Sequence, residues 1–456
     1  MYETIFQQAV FPILDRLNGT EISRVLAFLS ETESYSTSEL RDLQDRKLSE
    51  ILNWTGEHSG FYRDFWASAS EDRRASSDYP ELDGLPVVTK EDLREAASQF
   101  PLSAYNGNVL EIRTSGSTGT PTQFLRSQEQ ESWFWATRMR IWQWAGYKLG
   151  EPYLALNLNK REKWTKRLQD LLFRCTYLSY NAENLDSRGV MEALRRSRAV
   201  HINAFGSTLH LLAGYMRDND IENPGVRVLT TTGDNLSQEH REEIESAFGV
   251  PVIDYFGAGG EGAHLASQCT QADRYHLHVE NSVVEILRDG RPAKPGEVGA
   301  VVFTQLDNRA MPLVRYDLGD LATMGDGEPC PCGRAHPTIR AINGRACDVI
   351  LTPRGGALLP QFFFIGPFKL TDHLRKYQVV QEELDRLVVK LVADPGCDKP
   401  AAETAIREYI SEAAEGSLKI DFDWVDEIPL TGLGKPRPVV SKISAGGQRE
   451  SEEDGS

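Results

Sequence analysis

No stretch of the 456-residue chain approaches the roughly 20 consecutive apolar residues that a membrane-spanning helix needs. The opening Met1-Tyr2-Glu3-Thr4 shows neither the basic nor the hydrophobic segment of a secretory signal, so the chain is read as cytoplasmic. Basic charge is in deficit: 50 Lys and Arg against 67 Asp and Glu leave a formal net charge of -17. That balance argues against nucleic acid or an anionic membrane as partner, because both require clustered cations. Cysteine is scarce, and 6 in a chain of this length are too few for a disulfide scaffold. No internal repeat is visible. A Walker loop is missing too, since a G-x-x-x-x-G-K-[ST] reading from Gly116 meets Pro121 where the second glycine should stand, which speaks against a kinase or GTPase core.

What is present begins with 40% hydrophobic residues, enough to bury large cores, over a length that suggests two or three domains. The stretch Arg113-Thr-Ser-Gly-Ser-Thr-Gly-Thr-Pro-Thr122 follows the apolar residues Val109, Leu110 and Ile112. Gly116 and Gly119 let backbone N–H groups converge on an anion, while Thr114, Ser115, Ser117 and Thr118 offer hydroxyl donors. It reads as a phosphate-gripping loop; an ordinary Ser/Gly linker is the alternative that turn chemistry leaves open.

Residues 1–80 read as a helical lead-in, with Leu14, Leu17, Val25, Leu26 and Leu29 at helical intervals. Thr89, followed by Glu91 and Asp92, reads as a helix N-cap. A helix rich in aromatics runs through Trp133, Phe134, Trp135, Trp142 and Trp144, and aromatics at such spacing usually form core. From 150 to 260, short apolar runs alternate with amphipathic segments, the pattern of a layered α/β fold. Strands are expected at 152–158, 199–205, 226–232 and 250–256, with helices through Leu209, Leu212 and Tyr215 and over 238–248. Several strand ends carry Gly, Ser, Thr or Asp, and ligands in open α/β sheets bind beyond such ends.

The last of these strands enters Gly257-Ala-Gly-Gly-Glu-Gly262, which matches G-x-G-x-x-G by letter, with Glu280 near the acidic spacing. The motif lies too deep in the chain to open a first βαβ unit, and the segment holding His264 and Cys269 is a poor crossover helix. The remaining readings are a surface turn or a Glu261 carboxylate that ligates Mg2+ beside a phosphate.

Further motifs follow in order: Tyr316-Asp-Leu-Gly-Asp320, Asn343-Gly-Arg345-Ala-Cys-Asp348 and Pro429-Leu-Thr-Gly-Leu-Gly-Lys435-Pro-Arg437. Together they make the chain resemble the adenylate-forming superfamily, specifically its phenylacetate-CoA ligase branch with capsule-biosynthesis-like relatives. The branch is suggested by Leu85-Pro-Val-Val-Thr-Lys90, Phe205-Gly-Ser207, Thr231-Thr-Gly-Asp234, Ala310-Met-Pro-Leu-Val-Arg-Tyr316 and Cys330-Pro-Cys-Gly-Arg334. The resemblance spans roughly residues 80 to 443.

It implies an AMP-forming acid ligase that makes an acyl-adenylate from ATP and a small carboxylic acid, releases pyrophosphate and acylates coenzyme A. Relatives favour aromatic acids and suggest a homodimer. Transfer to an amine, and a non-catalytic binding homologue, are the alternatives. Ser115, Gly116, Ser117, Thr118, Gly119 and Thr120 would hold the β- and γ-phosphates, with Thr120 standing where many relatives have lysine. Asp234, Phe256 and Gly257 would border the nucleotide, and Phe205, Gly206, Ser207 and Gly259 the acid. Glu261 would bind Mg2+, Asp320 the ribose hydroxyls, and Arg345 the ribose or a phosphate. Lys435 would stabilise charge developing at the α-phosphorus. The turn departs from its relatives, because an extra glycine puts Glu261 five residues after Phe256 where they space a Glu four after a Tyr.

Cys330-x-Cys332 in a Pro/Gly turn, with Cys269 upstream, looks like metal ligation. The resemblance favours a structural Zn2+ held by Cys269, Cys330, Cys332 and His276, with His278 and His336 as alternatives for the fourth ligand and unliganded thiols as the plain reading.

The expected architecture is α/β: a large multi-layered N-terminal domain with mostly parallel sheets over 1–345, a hinge at 346–348, a small mobile C-terminal α/β domain over 349–443 carrying Lys435, and a disordered tail over 444–456.

Overall fold

The computed structural model describes residues 2–114, 122–157, 164–179, 185–234, 236–345, 348–354, 356–358, 362–363, 371, 373–428 and 438–443. The chain divides into two compact units, Met1–Leu318 with Ala322–Ile342, and Gly319–Leu321 with Asn343–Ser456.

The first unit opens on helices. Ser36 and Glu39 form a reciprocal capping box that starts the helix Thr37–His58, whose Leu40, Leu43, Leu48 and Ile51 are buried. Thr89 caps Lys90–Glu95 in the same way with Asp92, as its sequence suggests. Strands β1 (Val109–Thr114) and β2 (Thr122–Ser127) pair antiparallel, with Thr114 opposite Thr122, so the Ser/Gly stretch is entered and left by one hairpin. Ser127 then accepts a hydrogen bond from the Gln130 amide and starts the helix Gln128–Trp144.

Among the described residues, a 12-stranded sheet follows. Its first half contains β3 (Tyr153–Asn157), β4 (Cys175–Ser179), β5 (His201–Ala204), β6 (Val228–Thr231) and β7 (Val252–Ala258). These lie parallel in the order β4-β3-β5-β6-β7. Parallel neighbours need crossovers, which the helices Trp164–Leu172, Ser187–Ser197, Gly206–Asp218 and Gln238–Phe248 supply. Leu154, Ile202, Leu229 and Val252 pack against Leu194, Leu209, Leu212, Ile244 and Phe248 in one buried cluster. Truncating a residue such as Leu212 to Ala there costs about 2–5 kcal/mol. The sequence pattern located β3, β5, β6, β7 and the helix Gln238–Phe248. It did not single out β4 or Ser187–Ser197.

The second half of the sheet contains β8 (Ala263–Gln268), β9 (Tyr275–Leu277), β10 (Ser282–Arg288), β11 (Arg291–Pro292), β12 (Val298–Gln305), β13 (Tyr316–Met324) and β14 (Thr338–Arg345). Pairing turns antiparallel at β7–β8 and stays so through β8–β9, β9–β14 and β10–β12. A four-residue turn is too short for a crossover, so the chain must reverse there.

The second unit contains the short pair β15 (Ile350–Leu351) and β16 (Ala357–Leu358) and a four-stranded sheet of β17 (Leu374–Glu383), β18 (Arg386–Ala393), β19 (Lys419–Trp424) and β20 (Val439–Ser441) in the order β19-β18-β17-β20. The helix Lys399–Ala413 buries Ile406 and Ile410 against Val379, Leu387, Val389 and Leu391. Residues 346 and 347 of the expected hinge, and 429–437 with Lys435, lie outside the described residues. Among the described residues, no helix is long and apolar enough to cross a membrane.

Candidate active site and candidate metal centre

β5, β6 and β7 are parallel neighbours, so the segments after them share one carboxyl edge of the sheet. After β5, Phe205-Gly206-Ser207 opens the helix Gly206–Asp218. After β6 comes Asp234, whose Oδ1 accepts from the Gly206 amide at 2.8 Å and whose Oδ2 accepts from the Ser207 amide at 3.0 Å. A carboxylate at a helix N-terminus satisfies orphan donors and complements the dipole. Asp234 thus ties two edge segments together.

After β7 the chain turns through Gly259–Gly262, and the Gly262 amide closes the turn on the Ala258 carbonyl at 2.8 Å. The pairing register shifts by one residue between Phe256 and Gly257, so Leu265 bulges from β8. A Cβ on Gly257 would stand 2.4 Å from the Ala263 carbonyl oxygen, an approach only glycine allows. Glu261 faces Tyr316, whose hydroxyl lies 3.4 Å from its Oε1. Tyr316 is buried, its ring edge-on to Phe124 and Phe303.

Three side chains absent from the sequence reading hold this turn. Arg126 donates through Nη2 to the Gly259 carbonyl, and lies 3.4 Å from that of Gly260. Gln130 Nε2 donates to the carbonyls of Glu261 at 3.0 Å and Gly262 at 2.8 Å, and Gln305 Nε2 donates to that of Glu261 at 2.6 Å. Arg126, a charged residue directly after the apolar Phe124 and Leu125, was the one legible hint. Trp133 packs into the core against Phe28 and under the Lys47 ammonium, as the sequence spacing of these aromatics suggests and burial of its large ring favours.

In the second unit, Arg345 Nε meets Asp320 Oδ1 at 2.9 Å. The Asp320 side chain is 12% exposed and that of Arg345 54%, so the carboxylate is held by a cation that reaches solvent. Thr114 ends β1. Ser115, Gly116, Ser117, Thr118, Gly119, Thr120 and Lys435 lie outside the described residues.

A separate cluster gathers Cys269, His276, Cys330 and Cys332, whose ligand atoms all lie within 4.8 Å of one another. Cys269 follows the end of β8, and its amide closes a loop onto the Arg274 carbonyl at 2.8 Å. His276 is the middle residue of β9, paired to Ser267 and Thr338. Cys330 and Cys332 flank a turn closed by the Gly333 amide on the Cys330 carbonyl. Cys269 Sγ is 3.6 Å from Cys330 Sγ, and Cys332 Sγ is 3.2 Å from His276 Nε2. His276 Nδ1 lies 3.2 Å from the His336 carbonyl, which can only accept, so the proton sits on Nδ1 and the Nε2 lone pair faces the thiols. Burial pulls the His276 pKa down to about 4, keeping the ring neutral. Three thiols and one neutral imidazole fit tetrahedral zinc.

The other histidines are engaged elsewhere. His278 Nδ1 meets Arg140 Nη2 at 2.7 Å, and His336 Nε2 meets Glu280 Oε1 at 2.9 Å. Glu280 also takes Arg140 and, at 2.7 Å, the Thr32 hydroxyl. Complete burial pushes its carboxyl up, but the Arg140 guanidinium, with the hydrogen bond to His336, holds it well below the usual range. The residue at dinucleotide spacing is therefore a buried structural anion.

The CapK C-terminal domain family matches residues 350–442. The chain is 21% identical over 413 residues to Protein CapK of Staphylococcus aureus, covering 89% of this chain and 90% of that protein. It is 25% identical over 411 residues to phenylacetate-coenzyme A ligase of Thermus thermophilus, covering 85% and 89%. The crystal structure of 2-hydroxyisobutyryl-CoA ligase in the postadenylation state with R3-HIB-AMP superposes with a TM-score of 0.69 at 19% identity, over 90% of this chain and 91% of that one. The chain has the fold of the adenylate-forming acyl-CoA ligases.

Proposed function

We propose that this chain, built on that ligase fold, activates an aromatic carboxylic acid with ATP and passes the acyl group to coenzyme A. One observation carries the proposal: the Glu261 turn stands at the carboxyl edge of β7, beside the Asp234-tied segments that close β5 and β6. Ligands of open α/β sheets bind at such an edge.

In the first step a carboxylate oxygen of the acid bonds to the α-phosphorus, the bond to pyrophosphate breaks, and the acyl-adenylate forms. In the second the thiolate of coenzyme A attacks the acyl carbonyl and AMP leaves. Residues Ser115 to Thr120 grip the β- and γ-phosphates through hydroxyls and amides. Asp320 accepts the two ribose hydroxyl protons, and Arg345 already pairs with it. Phe205 and Phe256 offer flat apolar surface to the acid and the base. Lys435 counters the charge that builds as the α-phosphorus is attacked. Glu261 would supply one hard carboxylate oxygen to Mg2+ beside the phosphates, and the ion would neutralise phosphate charge there. Zn2+ on Cys269, His276, Cys330 and Cys332 would be structural, because four protein ligands leave no open position.

The test is ATP–pyrophosphate exchange with panels of aryl, aliphatic and amino acids, followed by product analysis with and without coenzyme A. Exchange with an aryl acid and a thioester product is expected. No exchange with any acid removes the ligase reading, and product formed only with an added amine moves the acceptor away from coenzyme A.

A further inference from the structure

We infer that Arg126, Gln130 and Gln305 are positioning residues for the Glu261 carboxylate, a proposal that rests on the ligase reading above. The turn Gly259-Gly260-Glu261-Gly262 holds three glycines, so its backbone has more conformations to lose than a turn built of residues with side chains. It is also a residue longer than the resemblance leads one to expect. Something outside the turn must select one geometry.

The selection is made on the carbonyl oxygens. Gly259, Glu261 and Gly262 each give their carbonyl to a side-chain donor, and Gly260 lies at the limit of one. The three donors come from three different places: Arg126 from β2, Gln130 from the helix that follows, and Gln305 from the last position of β12. Each donor is almost wholly buried, at 4%, 3% and 1% exposure, so it needs a protein acceptor, and the turn carbonyls supply one. Arg126 is itself fixed, with Nη1 3.0 Å from Glu131 Oε2 and its guanidinium 4.5 Å over the Phe134 ring. Its packing reaches into the turn, since a Cβ on Gly262 would stand 2.5 Å from Arg126 Nε and 2.8 Å from Gln130 Nε2. Gly262 also has φ +83, a conformation glycine adopts freely. With the carbonyls taken by these donors, the Glu261 carboxylate lies 3.4 Å from the Tyr316 hydroxyl. None of the three side chains bonds to the Glu261 carboxylate itself; they act through the turn backbone that carries it.

Manganese titration followed by electron paramagnetic resonance, with ATP present and acid omitted so that nothing turns over, tests the proposal in the full-length protein. Gln130→Met and Gln305→Met remove different bonds with little change of volume, so either one that folds suffices. Glu261→Gln reports loss of the carboxylate itself. Gln44→Met is the control, because Gln44 is equally buried and donates to the Ser282 carbonyl at 2.7 Å. The Mn2+ concentration for half-saturation should rise about tenfold in the two turn variants and at least as much in Glu261→Gln, as for lost outer partners of a metal ligand. Gln44→Met should lower thermal stability while leaving that concentration at the wild-type value. Wild-type Mn2+ binding in Gln130→Met or Gln305→Met overturns the positioning role, and wild-type binding in Glu261→Gln removes the ligand it serves. Wild-type protein that takes no Mn2+ with ATP overturns the ligase reading first.

Discussion

Cys332 Sγ lies 3.2 Å from Nε2 of His276, and the opposite nitrogen of that ring donates to the main chain of His336. Protein purified without a His tag should therefore carry close to one zinc per chain. Elemental analysis checks this, and less than about a tenth of an equivalent would sink the assignment. Cys332→Ser should lose the metal and melt earlier, whereas Cys397→Ser, away from the cluster, should do neither.

Lys435→Ala should slow adenylation by roughly two or more orders of magnitude while leaving the far-ultraviolet spectrum and melting temperature unchanged, as for loss of a charge contact made in the transition state. Single-turnover pyrophosphate release measures it. An unaltered rate would take Lys435 out of its role.

Arg315 is fully buried and gives its guanidinium to Glu285, at 3.0 and 2.9 Å, and to the carbonyls of Ala75, Ser76, Leu82 and Leu85. It fastens the segment before Leu85-Pro-Val-Val to the sheet. Arg315→Met strands the Glu285 charge and should cost about 3–5 kcal/mol in urea denaturation. Adding Glu285→Leu should recover part of the loss, because an apolar pair leaves no buried charge. A single-variant cost below about 1 kcal/mol would contradict this account.

His201 is fully buried, with Nε2 2.8 Å from the Thr230 hydroxyl, and burial pushes its pKa down to about 3, with Arg138 adding to the effect. Its folded pKa is below its unfolded one, so the unfolded chain binds the extra proton. Stability is complete above pH 6.5 and falls as pH drops from 6.5 towards 3. By pH 5 this one group should contribute about 2 kcal/mol of destabilisation. His201→Gln should show a smaller fall in melting temperature between pH 7 and pH 5 than the wild type. Equal falls would place the acid sensitivity elsewhere.

Much of the fold was legible because the information is local. Alternating and helical apolar spacing put β3, β5, β6, β7 and Gln238–Phe248 where the structure has them, and Thr89 with Asp92 announced a helix start through a contact three residues long. Residues 115–121 and 429–437, where the sequence places the phosphate loop and Lys435, lie outside the described structure, so for them the motif remains the argument.

By itself, then, the sequence determined the α/β character of the chain, the order of its motifs and the residue types available for anion and metal chemistry, because each is carried by neighbours along the chain. Only the tertiary structure decided which histidine joins the thiols, and it did so by giving His278 to Arg140 and His336 to Glu280. It alone revealed that Arg126, Gln130 and Gln305 grip the Glu261 turn from far along the chain, Arg126 meeting the Gly259 carbonyl from 133 positions away. No periodicity encodes such contacts. They exist because buried donors such as Arg126, Gln130 and Gln305 must find acceptors wherever the folded chain brings them.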